Sequence, residues 1–150
     1  MSTTLESYSK LIERDLNQII KEINLYTSES DLWKLEGDIS NSGGNLILHI
    51  IGNLRHFIGH VLGASDYQRN RNSEFNDKNV SQIEMIQMLK LTIEEVNKAF
   101  YKLTEDQLDK KYPIEVLGYE MTTGYFIMHL IGHLNYHLGQ VNYHRRLLKS

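Results

Sequence analysis

His133 and His137 stand four residues apart in a segment whose apolar residues recur at helical steps. Residues at that spacing carry Cβ atoms about 6 Å apart, so both imidazoles can offer a nitrogen to one ion. His49 lies inside a second apolar helical pattern and is expected to supply a third ligand from across a bundle. Three neutral imidazoles leave a divalent ion with an open position, the arrangement of a catalytic or substrate-binding metal rather than a closed structural one. Zinc, nickel and ferrous iron all suit such ligands. His129, one turn before the pair, is an alternative to His49 or a second layer behind it. The glutamate of an HExxH motif is missing, which leaves a zincin protease without its general base. Any single histidine on an apolar face is ordinarily a core residue bonded to a carbonyl, and pH-sensitive packing competes for the whole set. Seven histidines confined to two predicted helices weigh towards a shared ion.

At about 100° per residue, His49, Asn53, His56 and His60 fall within an arc of about 60°. His129, His133, His137, Gln140 and His144 fall within an arc of about 80°. Two such stripes facing one another make a concave polar site inside an apolar bundle. Asn53 and Gln140 are placed to support a ligand by hydrogen bonding. His56, His60 and His144 are expected at the periphery, at a bundle end or an interface.

Four helices are needed to position these stripes. Leu5, Tyr8, Ile12, Leu16, Ile19, Ile20 and Ile23 predict a first helix from about Thr3 to Tyr26. A connection from Thr27 to Gly44 carries the only tryptophan, Trp33, which could cover the metal pocket or fill a satellite core. The second helix spans about Asn45 to Leu62. Ser81 and Glu84 form a capping box that starts the third, with Val80 packing on Met85, and Ile86 to Leu103 continue it. Residues from Tyr112 to Tyr119 surround Pro113 and Gly118 and read as a short extended excursion. The last helix runs from Thr122 or Thr123 to about Leu148, with Arg145, Arg146 and Lys149 where its dipole favours cations. The expected fold is an all-α four-helix bundle in a single domain over residues 1–150.

His49, Ile51, Gly52, Leu54, Gly59 and Val61 recur eighty positions on as His129, Ile131, Gly132, Leu134, Gly139 and Val141. The echo suggests two hairpins related by a pseudo-twofold axis. Glycine inside a helix costs about 1 kcal/mol relative to alanine, so these four glycines predict close backbone approach.

Composition narrows the functions. A net charge of −3 with scattered lysines and arginines offers no field for nucleic acid. No cysteine is present, which removes thiolate ligands and a cysteine nucleophile and fits a reducing cytoplasm. No run approaches the roughly 20 apolar residues of a membrane helix, and the N-terminus lacks a signal-peptide pattern, so a cytoplasmic protein without membrane partners is expected.

The run from His129 through His133 and His137 to Gly139 and Gln140 resembles the last-helix signature of the DinB-like superfamily of four-helix metalloproteins. His49, after the turn Ser42, Gly43, Gly44 and Asn45, resembles that family's first ligand. The resemblance implies a three-histidine site, commonly holding nickel or zinc, and often a homodimer. The superfamily includes mycothiol-dependent maleylpyruvate isomerases and bacillithiol S-transferases, which makes a low-molecular-weight thiol the expected small-molecule partner. This chain has Tyr136 where the family often has histidine and Gly132 where it often has an acid. Arg69 and Arg71, in a polar loop after the second helix, are candidates to steer an anionic substrate. A metal-dependent transferase is the leading function. A non-catalytic metal-binding or small-ligand-binding dimer, or pure assembly tuned by histidines, stands beside it.

Overall fold

The computed structural model describes residues 1–148, so the expectation for Lys149 lies outside the described residues. Helix α1 (Thr3–Leu25), α2 (Gly43–Leu54), α4 (Gln82–Lys102) and α5 (Thr123–Leu148) form the bundle, and the short α3 (Arg71–Asn76) packs against α2. The fold is all-α, with no strand among the described residues. Serine starts three of the long helices. Ser2 accepts from Leu5, Ser42 from Asn45 and Ser81 from Glu84, each through its hydroxyl to an otherwise unpaired amide.

Helix α1 packs on α4 and α5, and α2 packs on the same two neighbours. Helices α2 and α5 therefore occupy corresponding corners, each beside the other, as a twofold relation between hairpins requires. The core is one apolar cluster in which Ile12, Leu16 and Ile19 of α1 meet Ile47, Leu89, Phe100, Ile127 and Leu134.

The expected second helix does not continue as regular α-helix to Leu62. From Arg55 to His60 it widens into a π turn, with Val61 donating to His56 and Gly63 to Ile58 across five residues. The buried Tyr112 hydroxyl donates to the Phe57 carbonyl at 2.6 Å, satisfying an acceptor in this irregular stretch. Tyr112 comes from the predicted extended excursion, which is reduced to a single antiparallel bridge between Lys111 and Thr122.

The glycine expectation requires correction. An added Cβ at Gly52 would run into the Glu74 carboxylate, and at Gly59 it would come 3.3 Å from Glu95 Oε2. Gly132 and Gly139 face open space. The first two make room for acidic side chains rather than for another backbone, and the last two make room for nothing within the chain.

Candidate metal centre

Every residue of α2 is buried, which places His49 between the bundle core and α5. His133 and His137 sit one turn apart on the adjoining side of α5. The Nε2 atom of His133 lies 3.2 Å from that of His49 and 3.1 Å from that of His137. One ligand nitrogen from each of the three lies within 4.8 Å of the other two. Imidazoles bound tetrahedrally at about 2.1 Å place their nitrogens about 3.4 Å apart, so this spacing fits one small divalent cation.

The tautomers agree with that fit. His49 Nδ1 lies 3.0 Å from Glu74 Oε1, and a carboxylate only accepts, so Nδ1 carries the proton and Nε2 keeps its lone pair. His137 Nδ1 lies 2.7 Å from Gln140 Oε1 with the same consequence, given the amide orientation assigned to Gln140. Lone pairs from two rings thus point towards His133 Nε2. Only a proton on His133 Nε2 or a cation between the three rings satisfies both lone pairs.

Glu74 was not visible as a site residue in the sequence. It enters from α3, a helix formed where a polar loop was expected. Asn45 anchors that helix by donating through Nδ2 to the Glu74 and Asp77 carbonyls. The Glu74 carboxylate is 5% exposed and receives both His49 and a two-pronged Arg69 guanidinium, at 2.8 and 3.0 Å. Glycine at position 52 leaves the space it occupies. Burial alone would raise the Glu74 pKa, but the hydrogen bonds from His49 and Arg69 outweigh it and hold the carboxyl below its ordinary value. Carboxylate, histidine and metal arranged in this order fix ring orientation and strengthen the ligand. An unaccompanied glycine inside an apolar helix was the one sequence signal of this group.

Burial pushes the His133 imidazole down to about 4, with His137 and His49 adding to the effect. Burial also lowers His137, partly opposed by Gln140. Both rings are therefore neutral, as ligands must be, near pH 7. An unfolded chain protonates a histidine near 6.5, so it binds more protons than the native state between about 4 and 6.5. Stability of the metal-free protein consequently rises with pH through that window. Thermal melts in chelator are expected to show a steeper rise for the native chain than for His133→Asn. Parallel profiles would contradict a neutral, desolvated His133.

The other predicted residues divide. Gln140 stands beside His137, with Oε1 2.7 Å from Nδ1. Asn53 is buried one turn beyond His49, and its Oδ1 has no hydrogen-bond partner. His129 is exposed, stacked on Phe126, with its ring 6.3 Å from His133 and outside the three-histidine group. Trp33 packs its six-membered ring over Gly44 at the start of α2. Arg69 is committed to Glu74, and Arg71 lies over the Phe75 ring, so the two guanidiniums have partners within the chain. His144 is not peripheral: it is buried, with Nε2 donating to the Lys34 carbonyl and Nδ1 accepting from Tyr26. It ties the connection after α1 to α5. A cavity of about 490 Å³ borders His137 and Gln140, between that connection and the C-terminal half of α5.

A family model described as Protein of unknown function (DUF1572) matches residues 1–150. No curated protein matches the chain.

Proposed function

The chain belongs to the DUF1572 family, a DinB-like domain family, and from that premise we propose a divalent-metal-dependent enzyme that activates a low-molecular-weight thiol for transfer. The observation that carries the reading is the convergence of His49, His133 and His137 from two helices on one point. A divalent ion held there supplies Lewis-acid chemistry, lowering the pKa of a thiol or water that ligates it. Glu74 fixes the tautomer of His49, and Gln140 that of His137. Glu74 is spent on His49 and Arg69 behind the ligands, which leaves it poorly placed as a general base for hydrolysis. A thiol needs only to lose its own proton, and so makes the smaller demand on this site.

The commitment of Glu74 to His49 and Arg69 also supports the second reading, a metal-binding or ligand-binding protein without catalysis. Either reading accommodates a second copy of the chain. No Asp, Glu, Lys or Arg occurs between Met121 and His144, and Tyr125, Met128, Tyr136 and Tyr143 are exposed there. An uncharged, aromatic helix face of this length suits a self-complementary contact. The test is thiol consumption with bacillithiol and a simple thiol against an electrophilic acceptor, using protein loaded with zinc, nickel or ferrous iron. Turnover that stops on chelation and returns with metal is expected. Stoichiometric loading without turnover under any of these metals would leave the binding protein as the better reading.

A further inference from the structure

The cavity beside His137 has a composition that selects its occupant. Ile39, Leu46, Tyr136, Tyr143 and Leu147 supply its apolar walls, and its volume of about 490 Å³ lies within the usual range for small-molecule sites. Among the described residues, Glu36 is the only formally charged side chain on its lining, and it is acidic. No lysine or arginine among the described residues lines the cavity. Of the guanidiniums, Arg69 pairs with Glu74 and Arg145 with Glu22, while Arg146 stacks on the Tyr143 ring without lining the cavity. Both His144 nitrogens are already hydrogen-bonded. An anionic group held against these walls, away from the metal end, would therefore leave water without meeting a cationic side chain, a transfer that is costly when unpaired. An uncharged apolar group would gain from the same walls.

Resting on the metal-site reading above, we propose that this cavity binds the uncharged aromatic or branched aliphatic part of a substrate whose ligating head lies at the His137 end. The preferred thiol is thus hydrophobic rather than carboxylate-bearing. Specificity resides in the connection after α1 as much as in α5, because Glu36, Ile39, Ser40 and Asn41 line the cavity together with Tyr136 and Tyr143.

Two arms test this. Metal-free protein is titrated with benzyl alcohol and followed by NMR, which reads the cavity without any ion. Cobalt-loaded protein is titrated with benzyl mercaptan and with mercaptosuccinate, followed by thiolate-to-cobalt absorption. Benzyl mercaptan is expected to bind at least about tenfold more tightly than mercaptosuccinate, from burial of its ring. Benzyl alcohol is expected to shift signals of Ile39, Leu46 and Tyr143. Ile39→Glu, at a loop position 43% exposed, is expected to weaken both benzyl probes about tenfold or more while cobalt content stays unchanged. Equal or tighter binding of mercaptosuccinate, or benzyl affinity indifferent to Ile39→Glu, overturns the proposal. If the native chain retains no cobalt, the metal reading fails by itself and the benzyl alcohol arm alone decides the cavity.

Discussion

His133→Ala is expected to abolish stoichiometric metal retention while leaving the bundle folded. Its Nε2 is the nitrogen in contact with both other ligands, at 3.2 Å from His49 and 3.1 Å from His137. Truncation leaves two imidazoles, on different helices, to hold the ion. Loss of a supporting partner behind a ligand costs about 10–100-fold in affinity, and loss of the ligand itself should exceed that range. The fold should survive because His133 is only partly buried and lies outside the apolar core cluster. Elemental analysis of protein purified without chelators provides the measurement, with His129→Ala as the comparison. Retention by the His133 variant together with loss in the His129 variant would place the ion elsewhere. Metal should also raise the melting temperature of the native chain alone, since an ion at about 100 times its Kd adds about 2.7 kcal/mol.

Gly52→Ala and Gly132→Ala are expected to move stability in opposite directions. At an unobstructed helical position the change gains up to about 1 kcal/mol, and Gly132 and Gly139 have nothing within 4 Å of the added carbon. At Gly52 the methyl group collides with Glu74. That carboxylate is no flexible surface tip, because His49 and both prongs of Arg69 hold it in the interior. Displacing it breaks a buried ion pair, which costs about 3–5 kcal/mol. Set against the helical gain, a net loss of about 2–4 kcal/mol follows. Metal affinity should fall about 10–100-fold as His49 loses its orienting partner. Equilibrium unfolding in chelator, followed by metal titration, separates the two effects. A Gly52→Ala protein as stable as its Gly132→Ala counterpart would show that Glu74 is not held as described. If a second copy covers the outer face of α5, Gly132→Ala and Gly139→Ala should also weaken self-association in sedimentation, although each monomer is more stable.

Much of the site was legible because helical periodicity is a local property. The four-residue step between His133 and His137 fixes their shared face wherever α5 packs, and the apolar pattern around His49 turns it inward. Ser42 and Ser81 likewise announced the starts of α2 and α4, since a cap is satisfied within three residues. The π turn was hidden, because its support comes partly from Tyr112, fifty-five positions from the carbonyl it satisfies. Glu74 was hidden for the same reason. In the sequence it is one acid in a polar stretch, and only the docking of α3 on α2 sets it against His49 and Arg69.

The sequence by itself determined that His133 and His137 share one helix face, that His49 is turned inward, and that the elements carrying the histidines are helical. Tertiary structure decided that three of those rings share one point, that His144 serves a connection instead, and which glycines are spaces for carboxylates. The physical reason is range. Backbone hydrogen bonds and side-chain periodicity act over a few residues, whereas a carboxylate, an arginine and a histidine brought from separate segments find one another only when packing removes the water between them.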